Sequence, residues 1–394
     1  MSDSHCLLCG SRLGDPIRPG RELGGVTSDM KPWPRFGEIV VCTTCGHVQK
    51  NLTDSWQEQV EQIYAEYELN LLSDGVEKKV FGNNGALTRS ERVLATVQER
   101  TSLPSHGRML DIGCGNGATL RAFGRRLPAW RLWGFEVNTR TRDEVLSLPG
   151  VEEFVAGGLD AVPGVFDCIT LFHVLEHLPE PKVVLRWVRD HLAPGGTLVV
   201  QIPDIAANPL DLAVFDHSSH FDIPRLGRFA TALGFKALDI GRPVAKEITG
   251  VFRGGTGPEA ALDQAVDAAE VDARVRADVA WLGSVLESAL ALAEDQPLGI
   301  FGTAVAGTWL AGRLGERVRF FVDEDPQRTG KTHLGLPVLD PSDVPAGSAV
   351  FIGFAPPLAW EIRDRLVERA VDWTPVTPPE RGRIVAGVST DAQA

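Results

Sequence analysis

The run Arg108-Met109-Leu110-Asp111-Ile112-Gly113-Cys114-Gly115-Asn116-Gly117 constrains this chain more than any other stretch. An apolar strand ends in an acid, three glycines alternate with other residues, and a helical pattern follows. Glycine adopts backbone conformations closed to other residues and lets a ligand approach the chain closely. The helix behind the turn offers free N–H groups at its start. This is a cofactor-binding turn.

The surrounding region, from about 85 to 255, alternates strand-like and helix-like segments. The strands read RMLDIG, LWGFEV, EEFVAG, DCITLFH, TLVVQIP, KALDIG and ITGVFRG. That alternation predicts an α/β fold with a doubly wound, Rossmann-like sheet. Ligands of such sheets bind at the carboxyl ends of the strands, near the switch point. With 394 residues the chain exceeds one ordinary core. The expected division is 1–75, 76–256 and 257–394.

The net charge of −13 argues against a nucleic-acid footprint, which needs clustered Lys and Arg. No apolar run approaches the roughly 20 residues of a membrane span, and the start, MSDSHCLLCG, has no signal pattern. The expected setting is cytoplasmic, with no nucleic-acid or membrane partner, as a monomer or homodimer. In that compartment cysteines are thiols or metal ligands. Cys6-x-x-Cys9 and Cys42-x-x-Cys45 are two such pairs, each followed by glycine, at Gly10 and Gly46. Two knuckles of this kind complete a tetrahedron, so Cys6, Cys9, Cys42 and Cys45 are the expected ligands of a structural zinc ion. His5 and His47 lie beside the knuckles; Cys114 and Cys168 read as core residues.

Gly113, Gly115 and Ala118 also satisfy the dinucleotide fingerprint, so the glycines alone leave NAD open. Glu136 closes the second strand, where an acid suits ribose hydroxyls in either cofactor. Asp111 before the turn, the G-x-G-x-G spacing through Gly117, the run Leu171-Phe172-His173-Val174-Leu175-Glu176-His177-Leu178-Pro179, and Pro194-Gly195-Gly196 before the fifth strand together resemble class I methyltransferases that use S-adenosylmethionine. That resemblance implies that Asp111, Gly113 and Gly115 face the methionine half, with Gly117 also among the cofactor-binding residues. It implies that Glu136, with Val137 beside it, takes the ribose, that Gly158, Leu159 and Asp160 lie near the adenine, and that Phe172 and His173 line the other side. His173-x-x-Glu176-His177 also matches a zinc-protease pattern, but that pattern needs a helix, and here it straddles a strand end.

After the fifth strand comes Val214-Phe215-Asp216-His217-Ser218-Ser219-His220-Phe221. Two histidines and an acid in one loop near the cofactor form a base constellation; equally, they are polar residues packing a sheet edge. His177 is a second candidate, or a helix cap. Tyr64 and Tyr67, the only tyrosines, stand together; either they donate to a developing oxyanion or they pack along a linker helix. Farther on, Leu298-Gly-Ile-Phe-Gly302-Thr-Ala-Val-Ala-Gly307 and Val318-Arg-Phe-Phe-Val-Asp323 form a second strand–turn–helix–strand unit that lacks a full nucleotide fingerprint.

The four-cysteine module with VVCTTCGHVQ, the central core and VDEDPQRTGKTHLGLPV together resemble the three-domain, zinc-containing sugar C-methyltransferases. The resemblance implies methylation of the 3-carbon of a nucleotide-linked 4-keto deoxysugar through an enolate. It implies His217 as base, Asp216 as the acid that orients it, and His177 and Tyr67, less surely Tyr64, as partners of the enolate oxygen. The family loop reads H-E-H-x-x-Y-F. Here Phe215 replaces its first His, Asp216 its Glu and His220 its Tyr, while Val214 fills a position that can carry Tyr. Arg253, Lys246 and Arg225 are candidates for a diphosphate. O- or N-methylation of a natural-product scaffold is the alternative, and RNA methylation a more distant one.

Overall fold

The computed structural model describes residues 5–67, 77, 79–80, 87–101, 103–255, 257–262, 267–292 and 296–382. The expected boundary at 75/76 lies outside the described residues.

The central sheet contains β1 (Arg108–Ile112), β2 (Arg131–Glu136), β3 (Val151–Ala156), β4 (Phe166–Phe172), β5 (Leu192–Pro203), β6 (Lys236–Gly241) and β7 (Glu247–Arg253). Their spatial order is β6-β7-β5-β4-β1-β2-β3. β7 is antiparallel to β5 and β6, and the other pairings are parallel. The order reverses between β1 and β4, so the glycine turn after β1 and Phe172-His173 after β4 flank the crevice where such sheets bind ligands. The strands read as apolar runs because helices cover both faces. Met109, Leu110 and Ile112 are buried, and helix Ala118–Arg126 seats Leu120 and Phe123 on the sheet. Helix Arg89–Arg100 starts with a capping box between Thr88 and Glu91.

The cysteine module is not an appendage. Its hairpin, Ile39–Val41 with Val48–Lys50, gains a third strand from the central region, Ser219–His220. The register pairs Ser219 with Gln49 and His220 with Val48. The loop singled out as catalytic is thus hydrogen-bonded into the N-terminal sheet.

The last third forms a six-stranded sheet around Leu298–Phe301, Val318–Val322 and Ala349–Ile352, preceded by the helix Ala268–Leu290. One hydrophobic core joins Val26, Ile39 and Val48 of the first module, Leu210 to Val214 of the loop after β5, Val275, Leu282 and Val285 of that helix, and Trp309 and Leu310. Trp309 Nε1 donates to the Leu23 carbonyl at 2.7 Å. Shared burial of this kind fixes the three segments against one another. Among the described residues, no helix is long and apolar enough to cross a membrane.

Candidate functional site

Three glycines after β1 have positive φ: Gly113 at 69°, Gly115 at 53° and Gly117 at 78°. The turn is pinned from below and from the side. Asp111 is 1% exposed and its Oδ1 accepts from Thr170 Oγ1 at 2.5 Å; burial pushes its carboxyl up to about 7. It therefore lies beneath the turn. Glu136 accepts from the Gly115 N–H through Oε1 and from the Val137 N–H through Oε2, both at 3.0 Å. A carboxylate has about four acceptor positions, so the aligned Glu136 keeps capacity for a ribose diol.

Beside it the surface suits a purine. Val137 is 74% exposed, which is unusual for a large apolar side chain next to a functional turn. Gly158 is exposed, with no heavy atom within 4 Å of where a Cβ would stand, and Leu159 is half-buried. Open space, an apolar wall and an aligned acid fit the adenosine part of S-adenosylmethionine. A Cβ on Gly113 would run into Val174 Cγ2, and the left-handed backbone adds about 1–2 kcal/mol of strain. Gly113→Ala is expected to weaken S-adenosylmethionine binding at least tenfold, as titration calorimetry would show; unchanged affinity would remove the turn from the binding site.

Phe172 and His173 follow on the far side of the crevice. His173 has φ 55° and lies 3.1 Å from Glu176 Oε1 and 3.5 Å from Glu247 Oε2. Burial and Arg89 oppose its charged form, but Glu247 and Glu176 prevail and raise it to about 9. The H-x-x-E-H run is not on an α-helix: Leu175–His177 is a short 3-10 turn.

The candidate acid–base residues come together from the segments that follow β4 and β5. His217 and His177 meet edge to face with ring centroids 4.6 Å apart. The carboxylate that orients His217 is Asp211, not the expected Asp216. Asp211 Oδ1 lies 2.8 Å from His217 Nδ1, and its Oδ2 lies 2.6 Å from His220 Nδ1. Asp216 serves another group: its Oδ1 accepts from the Ser28 N–H at 2.8 Å, and its Oδ2 from Ser28 Oγ at 2.5 Å. It also stands 3.6 Å from His177 Nδ1. Asp216 lies in a turn just before His217, and the two side chains approach His177 while keeping different hydrogen-bond partners, Ser28 and Asp211.

Tyr64 OH lies 2.9 Å from His177 Nδ1, and Tyr67 OH lies 3.2 Å from Ser28 Oγ. Both expected tyrosines reach the site, and Tyr64 makes the direct contact with a histidine. Tyr67 is half-buried and Tyr64 is 38% exposed; desolvation at the site and neighbouring Asp216 push both phenols up, towards the protonated form. For Asp211, burial opposes ionisation, but two histidines overcome it and keep the carboxyl far below its ordinary range. Burial likewise opposes a charged His217, yet Asp211 raises that ring above the ordinary histidine value; burial and His217 lower His177. Asp211 and Ser28, buried and half-buried at this point, escaped the sequence reading, and buried Glu176 entered it only as part of the H-x-x-E-H pattern. The one usable signal was the spacing of Asp211, His217 and His220.

Glu176, His177 and His217, and separately Asp211, His217 and His220, also lie close enough together to ligate an ion. In the second set the three side chains already hydrogen-bond one another, through both Asp211 oxygens. The four cysteines form a third set, with Cys6 Sγ 3.6 Å from Cys45 Sγ and Cys9 Sγ 3.4 Å from Cys42 Sγ. Tetrahedral zinc with bonds of about 2.3 Å puts sulfurs about 3.8 Å apart, so the set fits that ion. His47 is not in this set; its Nε2 lies 3.1 Å from Ser219 Oγ. Cys114 and Cys168 are buried in the core.

Two of the three diphosphate candidates are misplaced. Arg253 pairs with Thr197 at the opposite end of β5 from the site. Arg225 is buried and bound to Asp222 and to the Gly46 carbonyl. Lys246 stands at the site end, its Nζ 4.4 Å from the centre of the Phe354 ring.

Residues 87–240 match the family described as "Methyltransferase domain". A ubiquinone biosynthesis O-methyltransferase of Xanthomonas campestris pv. campestris is 33% identical over 115 residues, covering 26% of this chain and 45% of that protein. A trans-aconitate 2-methyltransferase of Deinococcus radiodurans is 28% identical over 117 residues, covering 29% and 42%. The chain thus spans less than half the length of these curated relatives. A solved S-adenosylmethionine-dependent methyltransferase from Clostridium acetobutylicum shares 14% identity over 42% of this chain and 90% of its own, with a TM-score of 0.36. The glycine turn, the sheet order and the family match agree: the central region of this chain is a methyltransferase domain of the Rossmann-like, class I fold.

Proposed function

We propose that the chain is an S-adenosylmethionine-dependent methyltransferase that methylates carbon next to a ketone, on a nucleotide-linked keto deoxysugar. The observation that carries this reading is one site holding both a base and oxyanion partners. Asp211 fixes His217 through Nδ1, which leaves Nε2 to take a proton. Tyr64, against His177, and Tyr67, against Ser28, are phenols held protonated. Forming an enolate needs a base at carbon and a hydrogen-bond donor at oxygen. When bound, S-adenosylmethionine supplies an electrophilic methyl group. The chain's own residues supply alignment, proton removal and a polar site shaped in advance. Four cysteines hold a zinc ion on this reading, with no open position for chemistry.

A second reading draws on the Xanthomonas relative, whose name describes O-methylation: His217 would then deprotonate a hydroxyl. Incubation in deuterated water with a nucleoside diphosphate-linked 4-keto-6-deoxyhexose and methyl-labelled cofactor separates the two. C-methylation requires loss of the 3-carbon hydrogen and label at that carbon. Label on oxygen or nitrogen, with no exchange at carbon, rejects the proposal.

The base must be neutral to act, so the rate should rise with pH through a midpoint above the usual histidine value. Asp211→Asn removes the charge that raises His217. The acid limb of the kcat profile is expected to move to lower pH while the maximum falls. An unmoved limb would show that Asp211 does not act through the base.

A further inference from the structure

Lys50 is a charged residue with no exposed surface, in the last position of the hairpin strand Val48–Lys50. Its Nζ donates to the Phe36 carbonyl and to the Leu212 carbonyl, each at 2.7 Å, and lies 4.8 Å from the centre of the Phe36 ring. Its backbone N–H donates to the Ser218 carbonyl at 3.0 Å. Leu212 follows Asp211, and Ser218 follows His217. One residue of the cysteine module therefore grips the catalytic loop at two places, each next to a member of the base pair.

We infer that Lys50 is a positioning residue for this base: its buried ammonium holds the Asp211 turn in place and supplies the counter-charge to the carboxylate shared by His217 and His220. The inference rests on His217 being the base. A buried ammonium is costly unless hydrogen-bonded and paired. Two carbonyls take two of its three protons, and the charged groups that bear on it are Asp211 and Asp216. His220 shares Asp211 through Oδ2; burial holds its ring below the ordinary histidine value, and Lys50 further opposes its protonation. Asp211 thus sits among His217, His220 and Lys50. Burial draws Lys50 down to about 7, against the pull of the two carboxylates. The arrangement gives the module a reason to share a sheet with Ser219–His220: the strand that the cysteines close delivers the ammonium.

The test uses the full-length, zinc-loaded protein. Lys50→Met is expected to lower kcat on the keto-deoxyhexose probe at least tenfold. Zinc content and S-adenosylmethionine affinity should stay unchanged. The His220 imidazole midpoint, read by NMR on labelled histidine, should rise because a repelling charge is gone. Native kcat and an unmoved His220 midpoint would overturn the inference. If Lys50→Met does not fold, side-chain nitrogen NMR of the unaltered chain and of Asp211→Asn decides. The Lys50 ammonium should lose its proton at lower pH in Asp211→Asn, and an unmoved midpoint overturns the inference. The reading of His217 fails separately, if His217→Gln keeps its activity whatever Lys50 does.

Discussion

Replacing His217 with Gln is expected to lower methyl transfer by about 10²–10⁴-fold, the span typical of a lost general base. Gln keeps a hydrogen-bonding group in the space and removes the titratable nitrogen. His217 is bound to Asp211 and packs against His177, whereas the cofactor turn is held by Asp111, Thr170 and Glu136. Binding of S-adenosylmethionine should therefore be unaffected, with the loss in kcat. Asp211→Asn in the same background should add little, because a carboxylate that acts through a missing ring has nothing left to orient. Turnover of His217→Gln within a few-fold of the parent, in a labelled-methyl assay, would move the base elsewhere, with His177 the first to try.

The second large effect concerns the metal. Cys42→Ser is expected to abolish zinc retention and, with it, catalysis. Structural zinc contributes about 10–16 kcal/mol to small modules that lack a core of their own. Here the consequence reaches farther than the module. Cys42 follows the strand Ile39–Val41, and the hairpin partner Val48–Lys50 carries Ser219–His220 as its neighbour. Losing the knuckle releases the template against which the histidine loop is held. Metal analysis, thermal unfolding and kcat should fall together. A zinc-free chain with native turnover would separate the cysteines from the active site.

The central sheet was legible because its information is local. Apolar strands, glycines at alternate positions and an acid at the end of the second strand follow from backbone geometry over ten or so residues. The paired cysteines were legible for the same reason, since a knuckle is a short turn. The loop from Val214 to Phe221 was legible only in part. Its histidines stood out, but the acid chosen for His217 was its chain neighbour Asp216, and the structure gives that role to Asp211 in the 3-10 turn Pro209–Ala213. Ser28 and Lys50 carried no local signal, because their partners Asp216 and Leu212 are separated from them by 188 and 162 positions. Arg253 and Arg225 failed similarly as diphosphate candidates: charge is visible in a sequence, but the strand end on which it emerges, or the buried partner that takes it, is not.

The sequence by itself therefore determined the glycine turn, the doubly wound class of the sheet around it and the paired spacing of the four cysteines, all products of short-range backbone constraints. Only the tertiary structure decided which acid orients which histidine, and that the cysteine module, the histidine loop and the long C-terminal helix share one core. Hydrogen bonds and burial between distant segments are selected by packing, and packing has no fixed spacing along the chain.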